Sequence, residues 1–178
     1  MNEGTQKSGP SGKPDRLKTY REKRNFSVTP EPSGERAASY SQIFVVQEHS
    51  SRSLHYDLRL EVDGVLKSWA VPKGPSLDPR DKRLAIQTED HPMEYASFEG
   101  TIPEGQYGAG TVILWDTGTY KNMTQKDGQE ISMAQALHDG HASFWMEGKK
   151  LKGGYALTRT KRGWILVKIK KDATASLR

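Results

Sequence analysis

The chain has 178 residues, enough for one ordinary domain with its own core but too few for two full ones. It contains no cysteine, which excludes disulfides and thiolate metal sites, so any bound metal must be held by imidazole and oxygen ligands, a set that leaves Mn, Zn, Co and Fe open. The formal net charge of +5 favours a polyanionic partner such as nucleic acid, although a soluble protein with a basic tail explains the charge equally well.

The N-terminal residues 1–14 are rich in Gly, Ser, Pro and Lys, a composition typical of a disordered basic tail. They lack the apolar segment of a signal peptide, and no stretch of the chain is apolar enough for a membrane span. We therefore expect a cytoplasmic protein without a membrane partner, with a single domain over 15–178. Within that domain, residues 15–26 predict a short helix and residues 28–42 a loop.

From residue 43 onwards apolar residues alternate with period two, which indicates β-strands. The Asp63-Gly64 pair is a strong hairpin signal, and a helix is predicted over 132–139, ending at Gly140. An irregular, exposed stretch is expected over 90–110. The predicted strands cover 43–49, 54–62, 65–71, 83–89, 111–118, 141–148, 153–160 and 163–170. Short strands joined mostly by hairpins predict an antiparallel barrel or sandwich, and closure into a barrel removes the open edges.

The strand at 54–62, LHYDLRLEV, carries the strongest functional signal. Side chains alternate across a strand, so His55, Asp57 and Arg59 share one face, and His49 lies a short loop upstream. Two imidazoles and one carboxylate on one side of a metal leave positions open for water and substrate, as in catalytic sites. The alternative is a pair of surface histidines with a salt bridge between Asp57 and Arg59.

Two further residues suit an anion beside that metal. The guanidinium of Arg59 can fork onto two phosphate oxygens, although a solvent-facing arginine is the simpler alternative. His91 is kept extended by Pro92 at the exit of a strand, where it could bind phosphate or donate a proton, or be merely a surface histidine. The glycine-rich segment 99–110 matches no phosphate-loop or dinucleotide motif and is expected to be a mobile loop near the site.

Two long segments, FVVQEHSSRSLHYDLRLEVDGVLKSWAVPKGPSLDP and TEDHPMEYASFEGTIPEGQYGAG, resemble the 3′-phosphoesterase domain of DNA ligase D, and the resemblance runs from about Arg24 to Lys168. It implies a mainly β fold, a closed or nearly closed antiparallel β-barrel with a few short flanking helices. It also implies a manganese-dependent phosphoesterase, with Co²⁺ or Zn²⁺ as other possible metals, that acts on DNA or DNA/RNA primer-template 3′ ends. Such domains remove a terminal ribonucleoside, then hydrolyse the remaining 3′-phosphate to a 3′-hydroxyl during non-homologous end joining.

The resemblance also implies roles for individual residues. Asn25 follows Arg24 where some members carry Asp, a departure that bears on the ribonucleoside-removal step. The metal ligands implied are His49, His55 and Asp57; the phosphate-binding residues Arg59, His91, Lys73 and Arg83; and the further catalytic positions Arg24, Glu31, Glu89 and Tyr95. This sequence shows no ligase or polymerase module, so we expect a freestanding monomer whose partners are a separate DNA ligase, a polymerase and a Ku-type end-binding protein.

Two other functions remain as alternatives. A non-catalytic single-strand nucleic-acid-binding β-barrel fits the basic charge, but it needs exposed aromatic stacking platforms rather than a row of metal ligands. A cupin-like metal oxygenase is the weaker idea, and it is raised by the His-x-Asp spacing, which also suits a facial triad for iron.

Overall fold

A computed structural model describes residues 15–34 and 42–170. The predicted tail over 1–14 and the central part of the predicted loop, 35–41, lie outside the described residues. Among the residues that are described, no helix combines the length and the apolar character needed to cross a membrane.

Eight strands form a ring in the order β1-β2-β3-β4-β11-β10-β9-β6, and the pairing of β1 with β6 closes it. The strands are β1 (Ile43–Ser50), β2 (Leu54–Val62), β3 (Val65–Val71), β4 (Arg83–Pro92), β5 (Gly100–Ile102), β6 (Gly110–Asn122), β7 (Gln125–Lys126), β8 (Gln129–Glu130), β9 (His141–Glu147), β10 (Lys152–Thr160) and β11 (Gly163–Lys168). The ring pairs are all antiparallel, β5 extends β6, and β7 with β8 forms a separate hairpin. The expected closed antiparallel β-barrel is confirmed.

The helices are short and flank the barrel, as expected. They are α1 (Lys18–Glu22), α2 (Met133–Asp139) and a 3₁₀ helix at Met93–Ser97. The helix predicted over 132–139 is confirmed, with the Ser132 side chain accepting the Gln135 N–H at its start. The helix predicted over 15–26 is shorter than expected.

The alternation of side chains divides the wall of the barrel into an inner and an outer face. Inner residues from all eight ring strands form one core, to which β2 contributes Leu58, Leu60 and Val62. The intervening residues of β2, including Asp57 and Arg59, therefore face outward. They are nevertheless buried, because a second layer covers this part of the wall. The apolar residues of that outer layer are Tyr20, Leu66, Tyr95, Phe98, Ile102 and Val112.

The segment predicted to be irregular and exposed is largely ordered and partly buried, so that prediction is wrong for 90–102. Strand β4 continues to Pro92, and the 3₁₀ helix and β5 follow it. Phe98 and Ile102 are buried in the outer layer. Their spacing follows no single period because they pack on the outside of another element, so the sequence pattern did not reveal them. Strand β6 is also longer than the predicted 111–118, since it pairs first with β1 and then with β9.

Candidate active site

Strands β1 to β4 bring their outward side chains to one buried patch under the outer layer. In the register of β1 and β2, Gln47 lies opposite Asp57 and His49 opposite His55. The pairing of β2 with β3, and of β3 with β4, extends this patch toward His91. The pairing of these four strands thus places outward side chains of β1, β2 and β4 close to one another.

The three predicted metal ligands converge. One ligand atom from each of His49, His55 and Asp57 lies within 4.8 Å of the others. Nε2 of His55 is 3.2 Å from Oδ1 of Asp57, and Nδ1 of His49 is 3.5 Å from its Oδ2. All three side chains are at least mostly buried. Two imidazoles and a carboxylate form a donor set that fits a divalent cation and leaves coordination positions open.

The ring of His49 is oriented by the backbone of the glycine-rich segment. Its Nε2–H donates to the carbonyl oxygen of Gly108 at 2.8 Å, and its Nδ1 faces Asp57. Gly108 has a φ of 76°, a conformation that residues with a Cβ adopt at a cost. Metal-ligating histidines characteristically donate their other N–H in this way. The segment therefore contributes to the ligand geometry.

Asp57 remains ionised in this cluster. Burial raises the pKa of its carboxyl, but hydrogen bonds from His49 and His55 and the charge of Arg59 outweigh that effect, so the pKa lies well below its usual range. The hydrogen bond to Asp57 in turn raises the pKa of His55, against the opposing effect of burial. A carboxylate held ionised beside two imidazoles is ready to ligate a cation.

Arg59 is fixed next to this cluster. Its Nε donates to Oε1 of Gln47 at 2.8 Å and its Nη2 to Oδ2 of Asp57 at 3.4 Å. The guanidinium carbon lies 4.7 Å from the centre of the Tyr95 ring. Gln47 is itself held, because its Nε2 donates to the carbonyl oxygens of Tyr95 and Phe98 at 2.8 and 3.0 Å. The arginine is thus preorganised, and the alternative of a solvent-facing arginine is wrong.

His91 differs from the expectation of a histidine on an exposed loop. It belongs to β4 and is only 4% exposed, because the outer layer covers it. Its Nδ1–H donates to the carbonyl oxygen of Glu89 at 2.9 Å, so Nε2 is the acceptor, 3.4 Å from Nη2 of Arg24. Burial, together with the charges of Arg59 and Arg24, holds the pKa of His91 well below its usual 6.5. The imidazole is therefore neutral in the free site.

The other predicted catalytic residues form one buried network. Arg24 pairs through Nε with Oε2 of Glu31 and through Nη1 with Oε2 of Glu89, each at 3.0 Å. The hydroxyl of Tyr95 donates to Oε2 of Glu31 at 2.6 Å. The Arg24 guanidinium carbon lies 3.9 Å from the centre of the Tyr20 ring. Burial favours the neutral form of Glu89, but a hydrogen bond from its own backbone and the hydrogen bond and charge of Arg24 outweigh that effect, so the pKa of Glu89 is lowered.

These groups surround a cavity of about 250 Å³. Nine predicted site residues line it: Arg24, Glu31, His49, His55, Asp57, Arg59, Glu89, His91 and Tyr95. Lys73 and Arg83 do not. Lys73 is exposed just after β3, and Arg83 pairs with Asp81 at 3.6 Å at the far end of β4 from His91. Their phosphate-binding role stays a prediction.

Sequence reasoning missed several residues of the site. Gln47 alternates with His49 on β1, so the same period-two argument could have found it. Ser68, whose Oγ is 3.4 Å from Nδ1 of His91, could not be placed without the register of β3 and β4. Tyr107 lines the cavity from the glycine-rich segment, which no periodicity marks.

Comparison with known families gives a match over residues 47–159 to the DNA ligase D 3′-phosphoesterase domain. The matched segment contains the three candidate ligands His49, His55 and Asp57, and also Arg59 and His91. Arg24 and Glu31 precede it.

The chain is similar to multifunctional non-homologous end joining proteins called LigD. It is 50% identical to the protein of Pseudomonas aeruginosa over 176 residues, which cover 94% of this chain and 20% of the relative. It is 43% identical to that of Mycolicibacterium smegmatis over 164 residues, covering 90% and 21%. For Mycobacterium tuberculosis the identity is 46% over 159 residues, covering 88% and 20%. The chain spans about a fifth of the length of these curated relatives.

Proposed function

The chain belongs to the DNA ligase D 3′-phosphoesterase domain family, and on that premise we propose that it is a metal-dependent 3′-end-healing phosphoesterase of DNA repair. It removes a 3′-terminal phosphate, and a 3′-terminal ribonucleoside, from a primer strand to leave a 3′-hydroxyl. The observation that carries the proposal is the convergence of His49, His55 and Asp57 beside the fixed guanidinium of Arg59 in one cavity.

The residues of the cavity divide the work of phosphate hydrolysis. His49, His55 and Asp57 hold a divalent cation, manganese in our proposal, which when bound polarises a phosphoryl oxygen and orients water. The free N–H groups of Arg59 bind the phosphate oxygens and stabilise the charge that builds up in the transition state. The imidazole of His91 is neutral before the substrate binds. The negative charge of a bound phosphate favours its protonated form, which can donate a hydrogen bond to an oxygen of the phosphate.

The network of Arg24, Glu31 and Glu89 is proposed to serve ribonucleoside removal. The carboxyl groups of Glu31 and Glu89 at the wall of the cavity can accept hydrogen bonds from ribose hydroxyls. Asn25 does not join them, since its Oδ1 accepts hydrogen bonds from the backbone N–H and the hydroxyl of Ser27 at 3.1 and 2.7 Å. Removal of the ribonucleoside in this chain therefore depends on the three-residue network without help from position 25.

The proposed substrates are DNA or DNA/RNA primer-template 3′ ends. The relatives are named for non-homologous end joining, so a DNA ligase, a polymerase and a Ku-type end-binding protein are the proposed partners.

The proposal is tested with a primer that carries a 3′-phosphate, incubated with manganese or with chelator. Wild type should release phosphate only with metal, and H55A should lose at least about 100-fold in rate while it keeps its affinity for the primer. H141A is the matched control, because His141 is exposed on β9 and its Nδ1 lies 2.9 Å from Oγ1 of Thr158, away from the cavity residues. Undiminished turnover in chelator would reject the metal role. Primer binding without any hydrolysis would favour the non-catalytic barrel.

A further inference from the structure

We infer that Tyr107 is the platform on which the base of the 3′-terminal nucleotide stacks. This inference rests on the proposed function, which assigns residues to the phosphate and the ribose but none to the base. Arg59 and His91 are proposed to bind the 3′-phosphate of the primer, but no residue has yet been proposed to contact its last base.

The exposure of Tyr107 is unusual in this molecule. The residue is 45% exposed, and it is the one exposed Phe, Tyr or Trp within 15–34 and 42–170. The other exposed large hydrophobic residues of this part of the chain are aliphatic: Val28, Leu54, Leu77, Leu84, Ile86 and Ile113. Tyr107 also lines the candidate catalytic cavity. The one exposed Phe, Tyr or Trp of the described residues therefore stands at the candidate site rather than elsewhere on the surface.

The ring is held in place by charged groups. Nζ of Lys23 lies 4.6 Å from the ring centre and 3.4 Å from the hydroxyl oxygen. The hydroxyl donates to Oε1 of Glu89 at 3.5 Å, and Glu89 also pairs with Lys23 at 3.4 Å. A ring tied to two side chains loses little further freedom when a base packs on it, which favours binding.

The distance from the ring to the phosphate-binding groups suits one nucleotide. The guanidinium carbon of Arg24 lies 5.3 Å from the centre of the Tyr107 ring, and Nη2 of the same group is 3.4 Å from Nε2 of His91. One guanidinium thus separates the ring from the phosphate-binding histidine. A nucleotide whose 3′-phosphate reaches His91 can place its sugar over Arg24 and its base on Tyr107.

Stacking also suits the task of an end-healing enzyme. Every base has a π face, so an aromatic platform binds all four bases without reading their hydrogen-bonding edges. Positive charge from Lys23 and Arg24 beside the ring adds attraction for the backbone.

The experiment compares two substrates of the enzyme in manganese. One is a primer ending in an ordinary nucleotide 3′-phosphate, and the other is the same primer whose last nucleotide has a sugar but no base. Y107A should raise the KM for the ordinary primer about tenfold with little change in kcat, whereas wild type and Y107A should have similar KM values for the baseless primer. Y107F keeps the ring without the hydroxyl and should retain most of the preference for a base. L77A, at an exposed position that does not line the cavity, is the control.

Equal KM values of wild type for the two primers, or an equal loss by Y107A on both, would overturn the inference while leaving the phosphatase intact. A second readout separates it from the proposed function. A primer with 2-aminopurine at its 3′ end should be quenched on binding to wild type and not to Y107A, measured in chelator so that turnover is not required. Quenching by a wild type that hydrolyses neither primer in manganese would reject the proposed function and support the platform; no quenching difference would reject the platform.

Discussion

At the scale of single residues, the candidate site is built from side chains that are already fixed by their neighbours. Arg59 is bonded to Gln47 and Asp57 and packed on Tyr95. His49 is oriented by Gly108. Preorganised donors of this kind lose little freedom when charge develops in a transition state, which makes their geometry as important as their charge.

We therefore expect R59K to lose about 100-fold in kcat/KM for a 3′-phosphate primer, although the positive charge remains, because an ammonium cannot bond Gln47, Asp57 and phosphate in one plane. R80K is the matched control, since Arg80 is highly exposed and pairs only with neighbouring Asp78 among the ion pairs of the described residues. Steady-state kinetics of both variants give the comparison. An R59K enzyme within threefold of wild type would show that charge alone suffices.

His91 predicts a pH dependence of stability. Its folded pKa is lowered by burial and by Arg59 and Arg24, so below about pH 6.5 the unfolded chain binds a proton that the native protein excludes. The free energy of unfolding of the metal-free wild type should therefore fall more steeply than that of H91Q as the pH drops below 6.5. The difference between the two slopes should reach up to about 1.4 kcal/mol per pH unit. Urea titrations between pH 8 and pH 5 measure both slopes, and parallel slopes would contradict the burial of a neutral imidazole.

The sequence was a good guide to the residues of β2 and a poor guide to those around it. Alternation alone placed His55, Asp57 and Arg59 on one face, and the structure agrees. It could not show that this face is buried, because the layer over it comes from α1, the 3₁₀ helix and β5, which pack through irregularly spaced residues. The exposure predicted for His91 was wrong for the same reason.

At the scale of elements, the glycine-rich segment between β5 and β6 contacts the candidate metal ligands through the bond between Gly108 and His49. It was expected to be a mobile loop near the site. Its Gln106 N–H donates to the Pro103 carbonyl at 3.1 Å and its Ala109 N–H to the Gln106 carbonyl at 3.0 Å, so it consists of consecutive turns. The Gly108 carbonyl presented to His49 follows from this turn geometry.

Two glycines of this segment give a matched pair of variants. Gly105 and Gly108 have φ values of 86° and 76°, so alanine at either position should cost about 1–2 kcal/mol of stability. Only G108A should also disturb the bond to His49, with a loss of about tenfold or more in manganese affinity. Thermal melts and metal titrations of both variants test this. Equal metal affinities would mean that Gly108 does not orient the ligand.

At the scale of the whole molecule, the formal net charge of +5 should appear in the ionic-strength dependence of the reaction. If two or three phosphates of a single-stranded primer contact basic side chains, affinity should fall about tenfold between 50 and 200 mM salt. Hydrolysis of a small phosphate monoester, which lacks the other phosphates, should change far less. Kinetics of both substrates over this range decide it, and equal salt effects would show that the basic charge does not bind the strand.

The antiparallel pairing of neighbouring strands followed from the sequence because the hairpin signals were local. Asp63 and Gly64 have φ values of 51° and 90°, as the predicted two-residue turn requires. The strand pattern alone left a barrel or a sandwich open, and the family resemblance implied closure, since the pairing of β1 with β6 and of β4 with β11 joins segments that no local pattern connects.

This topology has a consequence for folding kinetics. Strands β1 to β4 form a meander of neighbours in sequence, so the wall that carries the three ligands can assemble through short loop closures. Ring closure instead brings Ala85 beside Trp164, a contact of high sequence separation that costs more chain entropy and slows folding. The ligand-bearing wall should therefore gain protection from amide hydrogen exchange before the β4–β11 seam does.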